Sequence, residues 1–240
     1  MIPVEQVPER ILVVFAHPDD VDFGVAGSVA RWTHDGASVT YCVVTDGDAG
    51  GSDPSVSRDQ MRVIRRKEQE AAAAEVGVKD LVWLGYPDGR VEASLELRKD
   101  IARVIREVRP ERVVAPSPER IWERIFASHP DHLAVGEAAI CAVYPDARNP
   151  FAFPELAAAG LEPHTVPEVW LMATPAPDTF VDVTETFDRK MAALRSHVSQ
   201  IGDRDSELDE FVRGFLAESG RRAGWVDGHL AEAFQRVVTG

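Results

Sequence analysis

The sequence predicts an α/β fold: a Rossmann-like, doubly wound, mainly parallel sheet with helices on both faces. Two features predict it. Continuous apolar runs of strand length recur, and a strand covered on both faces needs no polar alternation. Segments of helical period separate them, so strand and helix alternate, as a parallel sheet with crossover connections requires. The chain has 240 residues, 45% of them hydrophobic, enough to bury a core of that size. It shows no internal repeat and no linker long enough to divide it, so residues 1–240 read as one domain.

The elements follow in order. Ile11-Leu12-Val13-Val14-Phe15 is the first strand. Gly24 to Trp32 reads as a helix, ended by Asp35-Gly36. Val39 to Thr45 is the second strand, and Asp46 to Pro54 is a loop by composition. Ser57 to Val76 is a long helix rich in Ala, Glu and Arg, stopped by Gly77. Leu81 to Leu84 is the third strand, and Tyr86-Pro87-Asp88-Gly89 is a turn. Ser94 to Val108 places Leu97, Ile101, Val104, Ile105 and Val108 on one helical face, and Arg109-Pro110 ends it. Arg112 to Ala115 is the fourth strand. Pro130 to Val143 is a helix with Pro130 in its first turn. Val166 to Met172 is the fifth strand, Thr184 to Val198 a helix, and the remainder is mostly helical. Pro145 to Pro167 is Pro- and Ala-rich and irregular, suited to a lid or an oligomer contact.

Composition removes several classes of function. A net charge of −14 opposes nucleic-acid binding, and the basic run at Arg62, Arg65, Arg66 and Lys67 is followed at once by Glu68 and Glu70. No apolar run approaches the ~20 residues of a membrane span. The first residues lack the pattern of a signal peptide, so the expected compartment is the cytoplasm. Cys42 lies inside an apolar run and reads as a core thiol, and neither Cys42 nor Cys141 has a CxxC partner. A metal in this chain must therefore be held by His and carboxylates.

Open α/β sheets bind ligands beyond the carboxyl ends of their strands. His17-Pro18-Asp19-Asp20 follows the first strand directly, and His129-Pro130-Asp131-His132 follows the fourth after a loop. Those two strands are neighbours at the switch point of the common strand order, so both segments face one crevice. A hydrolytic zinc needs three His or carboxylate ligands, an open position for water, and a nearby base. Two ligands from the first segment and one from the second would supply it, leaving a carboxylate and an imidazole for proton transfer. The competing explanation for Asp19, Asp20 and Asp131 is helix capping. It accounts for one such residue, less readily for two His-Pro-Asp triplets.

With both motifs in this order, the chain resembles the LmbE/PIG-L family of zinc-dependent N-acetylglucosaminyl deacetylases. Gly27, Thr45-Asp46-Gly47, Arg65 with Glu68, Leu84 to Asp88, Pro145 to Pro150, and Ser196-His197 with Ser199-Gln200 add weaker matches across most of the chain. The resemblance implies His17, Asp20 and His132 as zinc ligands, Asp19 as general base and His129 as a cation stabilising the oxyanion. Asp131 either orients an imidazole or caps its helix. The resemblance also implies a small N-acetylated sugar or conjugate as substrate and a homo-oligomer. The family's Glu after the Asp pair is Val21 here, with Asp22 as its partial replacement.

Four further residues are candidate substrate contacts: Arg65, Asp46, Arg148 and His197. An ion pair competes as the role of Arg65, a structural role as that of Arg148, and a core or surface position as that of His197. The alternatives in function are an amidase of a sugar-thiol conjugate, a metal-dependent phosphoesterase, which needs more ligands than these segments comfortably supply, and a nucleotide-binding module. The last requires a GxGxxG loop where this chain has His-Pro-Asp-Asp.

Overall fold

The computed structural model describes residues 6–51, 53–202 and 205–240. Ser52, inside the predicted loop, lies outside the described residues. The elements are β1 (Arg10–Phe15), α1 (Asp20–Gly24), α2 (Ala26–His34), β2 (Ser38–Thr45), α3 (Arg58–Glu75), β3 (Asp80–Tyr86), α4 (Leu95–Val108), β4 (Arg112–Pro116), α5 (Pro130–Cys141), α6 (Pro154–Ala158), β5 (Glu168–Met172), β6 (Thr179–Asp182), α7 (Phe187–Arg195), α8 (Val198–Ile201), α9 (Asp205–Arg222) and β7 (Ala231–Val238). A 3-10 segment, Trp122–Ala127, precedes α5, and a wider turn, Ala142–Asp146, follows it.

The sheet order is β3-β2-β1-β4-β5-β7-β6. The first five strands run parallel, and β7 pairs antiparallel with both β5 and β6. Side chains alternate across the sheet and divide the core in two. Ile11, Val13 and Phe15 point into a cluster with α2, α3, α7 and α9, while Leu12 and Val14 point into one with α4 and α5. Each face of β1 is thus covered, which is why its sequence is an unbroken apolar run. Cys42 is buried in the second cluster and free. Burial pushes its thiol up to about 12, against the pull of Arg103, so it is inert.

Local signals set several boundaries. Ser57 and Gln60 form a reciprocal capping box at the start of α3. Gly36 and Gly77 take positive φ, 97° and 82°, just after helices. The helix expected over Gly24 to Trp32 is α2, and the short α1 precedes it across Val25.

The C-terminal expectation is corrected. Residues 223–240 do not continue as helix: β7 is a strand, and β6 precedes α7. Ala-Glu-Ala-Phe-Gln-Arg is helix-forming by intrinsic propensity. Pairing with β5 and β6 overrides it, and buried Glu232 accepts hydrogen bonds from Gly27 N at 3.0 Å and Ser28 N at 2.7 Å. The stretch Pro145 to Pro167 is irregular but pinned. Arg106 of α4 donates to the carbonyls of Asp146, Ala147, Asn149, Ala152 and Leu161, which does not suit a lid.

Candidate active site

β1 and β4 are adjacent, and the strand order reverses between them. The His17 segment leaves the end of β1, and the His129 segment enters α5 after β4. The two therefore meet above the sheet. His17 Nδ1 lies 3.3 Å from His132 Nε2, and the Asp20 carboxylate sits 3.5 Å from the first and 3.0 Å from the second. Asp20 also accepts from the His17 backbone N at 2.8 Å, which fixes its carboxylate.

The outer face of each imidazole is tied down. His17 Nε2 lies 3.0 Å from Asp131 Oδ2 and 3.1 Å from Asp88 Oδ1. Asp131 is nearly inaccessible and accepts from Gly89 N and Val91 N, and Asp88 accepts from Ala49 N. His132 bonds to the Ala127 backbone. Such outer partners fix tautomer and ring angle in metal sites. Burial opposes charge on His17, yet Asp20, Asp131 and Asp88 outweigh it and push its pKa up to about 12. A pocket that negative demands a cation. Two imidazole nitrogens and a carboxylate form the N,N,O set of catalytic zinc, so the residues fit the ion. Two other groupings, His17 with His129 and His132, and His17 with Asp88 and Asp131, also place ligand atoms within 4.8 Å. We favour the first set. Asp20 lies against both His17 Nδ1 and His132 Nε2, whereas Asp88 and Asp131 lie at the opposite nitrogen of His17, as orienting groups do.

Asp19 takes φ 89°, and its side chain makes no cap bond. Capping is therefore not its role. Two residues one turn apart on α3 hold it. Gln69 Oε1 accepts from Asp19 N at 2.9 Å, and Arg65 Nη2 donates to Asp19 Oδ2 at 3.0 Å and to the Pro18 carbonyl. Burial pushes the Asp19 carboxyl up to about 7, against Arg65. A base works best with a pKa near operating pH.

His129 lies exposed beside this cluster, its ring centroid 5.0 Å from that of His17. Its Nδ1 accepts from Asp131 N, so His129 and not Asp131 caps α5. Burial, then His17, holds the His129 pKa below its ordinary value, against the cation that the resemblance implies. A neutral ring whose Nδ1 accepts in this way carries its proton on Nε2.

The candidate substrate contacts separate. Arg65 reaches the cluster, buried and bonded to Asp19 and to the Gly47 carbonyl, so it is not a surface ion pair. Asp46 is turned to α3, 2.8 Å from Arg66 and 3.1 Å from Arg62. Arg148 is corrected outright: it donates to the Thr239 carbonyl, near the amino end of β5, opposite the cluster. His197 has 0% exposure and no open face for substrate; its Nε2 lies 2.7 Å from Asp22 Oδ2. Asp22 in turn accepts from Gln69 Nε2 at 2.9 Å, which ties His197 to the residue holding Asp19. Val21 is wholly within the core, and Asp22 takes the polar position. Sequence reasoning passed over Gln69 and treated Asp88 as a turn residue. Its position just past β3, on the same sheet end as both motifs, was the available signal for Asp88.

The family model described as "PIG-L: GlcNAc-PI de-N-acetylase" matches residues 12–143. The diacetylchitobiose deacetylase of Thermococcus kodakarensis is 33% identical over 90% of this chain and 79% of its own. A probable N-acetyl-alpha-D-glucosaminyl L-malate deacetylase 2 of Bacillus anthracis is 32% identical over 83% and 84%. The solved structure of N,N'-diacetylchitobiose deacetylase from Pyrococcus horikoshii superposes with a TM-score of 0.89 at 33% identity, covering 96% of this chain and 84% of that one. Matching motifs, fold and relatives lead to one conclusion: the chain belongs to the PIG-L family, the LmbE-like metal-dependent hydrolases that remove N-acetyl groups.

Proposed function

We propose that this enzyme is a zinc-dependent deacetylase acting on a small N-acetylglucosamine-containing molecule, with His17, Asp20 and His132 holding the metal. The convergence of those donor atoms beside a separately held Asp19 carries the reading. Held there, zinc would polarise the acetyl carbonyl and make water a stronger acid.

The chain's own groups do the rest. Asp19 accepts the proton of the attacking water, on the oxygen that Arg65 does not hold. The neutral His129 ring donates from Nε2 to the oxyanion that forms on the acetyl carbonyl oxygen as water adds to its carbon. Asp131 keeps His17 oriented through Nε2, and Arg65 with Gln69 keeps Asp19 in place. Asp19 then returns its proton to the amine as the C–N bond breaks, and acetate and the free amino sugar leave. The homo-oligomer expected of the working enzyme rests on the family resemblance alone.

The test separates base from ligand. Asp19→Ala is expected to keep stoichiometric metal and lose roughly 10²–10⁴-fold in kcat. His132→Ala is expected to lose the metal itself. Purified protein without a divalent ion, together with full activity in His132→Ala, would overturn the scheme.

A further inference from the structure

Asp19 also lines a second cavity, of about 430 Å³, outside the metal cluster. The other lining residues are Phe23 of α1, Gln200 and Ile201 of α8, and Glu207, Leu208 and Phe211 of α9. Its volume is in the range of small-molecule sites, ~300–1,000 Å³. Ile201 and Leu208 are 7% and 8% exposed and belong to the core, so the floor is fixed. Phe23 and Phe211 are 38% and 61% exposed. Single exposed apolar side chains need no explanation. Two phenylalanines that share one cavity with the proposed base do. Among the described residues, the titratable side chains of the lining are Asp19 and Glu207, both acidic, and no Lys or Arg lines it. Glu207 repels an anionic substituent there, and Phe23, Ile201, Leu208 and Phe211 present hydrocarbon to an apolar one.

We propose that this cavity is the subsite for an uncharged, apolar aglycone, an aryl or short alkyl group carried by the amino sugar whose N-acetyl group is hydrolysed at Asp19. The inference rests on the deacetylase reading and deepens it. It differs from what the relatives' names suggest, since a second sugar and malate are respectively hydroxyl-rich and anionic. Phe211 and Phe23 would clasp the aglycone, and Glu207 at the cavity lining would select against negative charge.

The experiment compares kcat/KM of the metal-loaded enzyme for N-acetylglucosamine, both anomers of its phenyl glycoside, diacetylchitobiose, and the malate glycoside. One phenyl anomer is expected to exceed N-acetylglucosamine by about tenfold or more, as burial of a phenyl face requires, and to exceed the other two glycosides. Phe211→Ala is expected to reduce that ratio about fivefold, through KM. Phe151→Ala, 89% exposed and outside the cavity, leaves the ratio as it is. Glu207→Gln is expected to raise turnover of the malate glycoside several-fold. Calorimetry with the deacetylated phenyl glycoside against glucosamine gives the same ranking without turnover. If N-acetylglucosamine is hydrolysed but neither phenyl anomer is faster, or diacetylchitobiose is preferred, the subsite inference fails and the deacetylase reading stands. If none of the five sugars is deacetylated, the deacetylase reading fails and takes the inference with it.

Discussion

Asp19 occupies a left-handed backbone conformation, φ 89°, that costs an L-residue about 1–3 kcal/mol unless its surroundings hold it. Gln69 and Arg65 supply that hold from one face of α3. Removing Gln69 therefore separates positioning from metal binding. Gln69→Leu leaves the Asp19 N–H without its acceptor and removes one of the two side chains bonded to Asp22 Oδ2, His197 being the other. It is expected to lower kcat at least tenfold while metal content stays near one per chain, and to destabilise the fold by about 1–3 kcal/mol. Elemental analysis, steady-state kinetics and urea unfolding read the three quantities. Unchanged kcat would show that Asp19 holds its geometry without α3. The sequence revealed both His-Pro-Asp motifs because they are contiguous. It did not reveal Gln69, fifty positions from Asp19, because nothing in a helix-forming residue on a charged helix distinguishes a buried ligand of a backbone amide from a solvated side chain.

The position of α5 decides where His132 stands. Gly136 lies on its inner face, and a Cβ there would run into the Pro116 carbonyl and come within 2.9 Å of the Pro118 nitrogen. Backbone atoms do not yield as a side chain tip does. Gly136→Ala is expected to cost about 2 kcal/mol or more and to weaken metal retention during dialysis against a chelator, because the helix must move away from β4 with His132 on it. A second joint spans three strands: Glu168 of β5 accepts from Arg112 of β4 at 2.7 Å and Arg236 of β7 at 2.6 Å. Burial opposes its charge, but the two guanidiniums hold its pKa below the ordinary 4.5. The folded state thus binds the proton less tightly than the unfolded chain, so this stabilisation is full above pH 4.5 and is lost as pH falls through the depressed value. Glu168→Gln is expected to be about 2–4 kcal/mol less stable than wild type at pH 7, with the gap closing below pH 4.5. Urea titrations at several pH values test this, and a constant gap would exclude the assignment.

At the scale of the molecule, Lys190 is the feature that ties distant parts together. Its ammonium has no exposure and donates to Glu232 of β7 at 2.7 Å and to the Asp22 and Phe23 carbonyls of α1 at 2.8 Å. Lys190→Met would leave the buried Glu232 carboxylate without its cation, with the Gly27 and Ser28 amides still donating to it, and is expected to cost about 3–5 kcal/mol. The metal acts at the same scale, since it would join β1 to α5. Chelation is expected to lower Tm as well as activity, because a ligand at 100 times its Kd contributes about 2.7 kcal/mol to the native state. Re-addition of zinc restores both. A chelated protein with unchanged Tm and unchanged activity would rule out a metal at this site.

Much of this architecture was legible before any coordinates. The apolar runs of β1, β2 and β4 announced strands covered on both faces, and the Gly and Pro punctuation marked helix ends, because these signals are local and steric. The sequence by itself also determined which residues could make a metal site: two contiguous His-Pro-Asp segments at strand ends, with no cysteine to compete. What only the tertiary structure decided were the long-range terms. It made Ala231–Val238 a strand, since pairing with β5 and β6 outweighs helix propensity. It turned Asp46 and Arg148 away from the cluster and brought Asp88 and Gln69 to it. It assigned the cap of α5 to His129 rather than to Asp131, leaving Asp131 to orient His17. Side-chain direction and burial are properties of the packed molecule, so the His-Pro-Asp pattern could name the groups of the site but not the partner each of them would take.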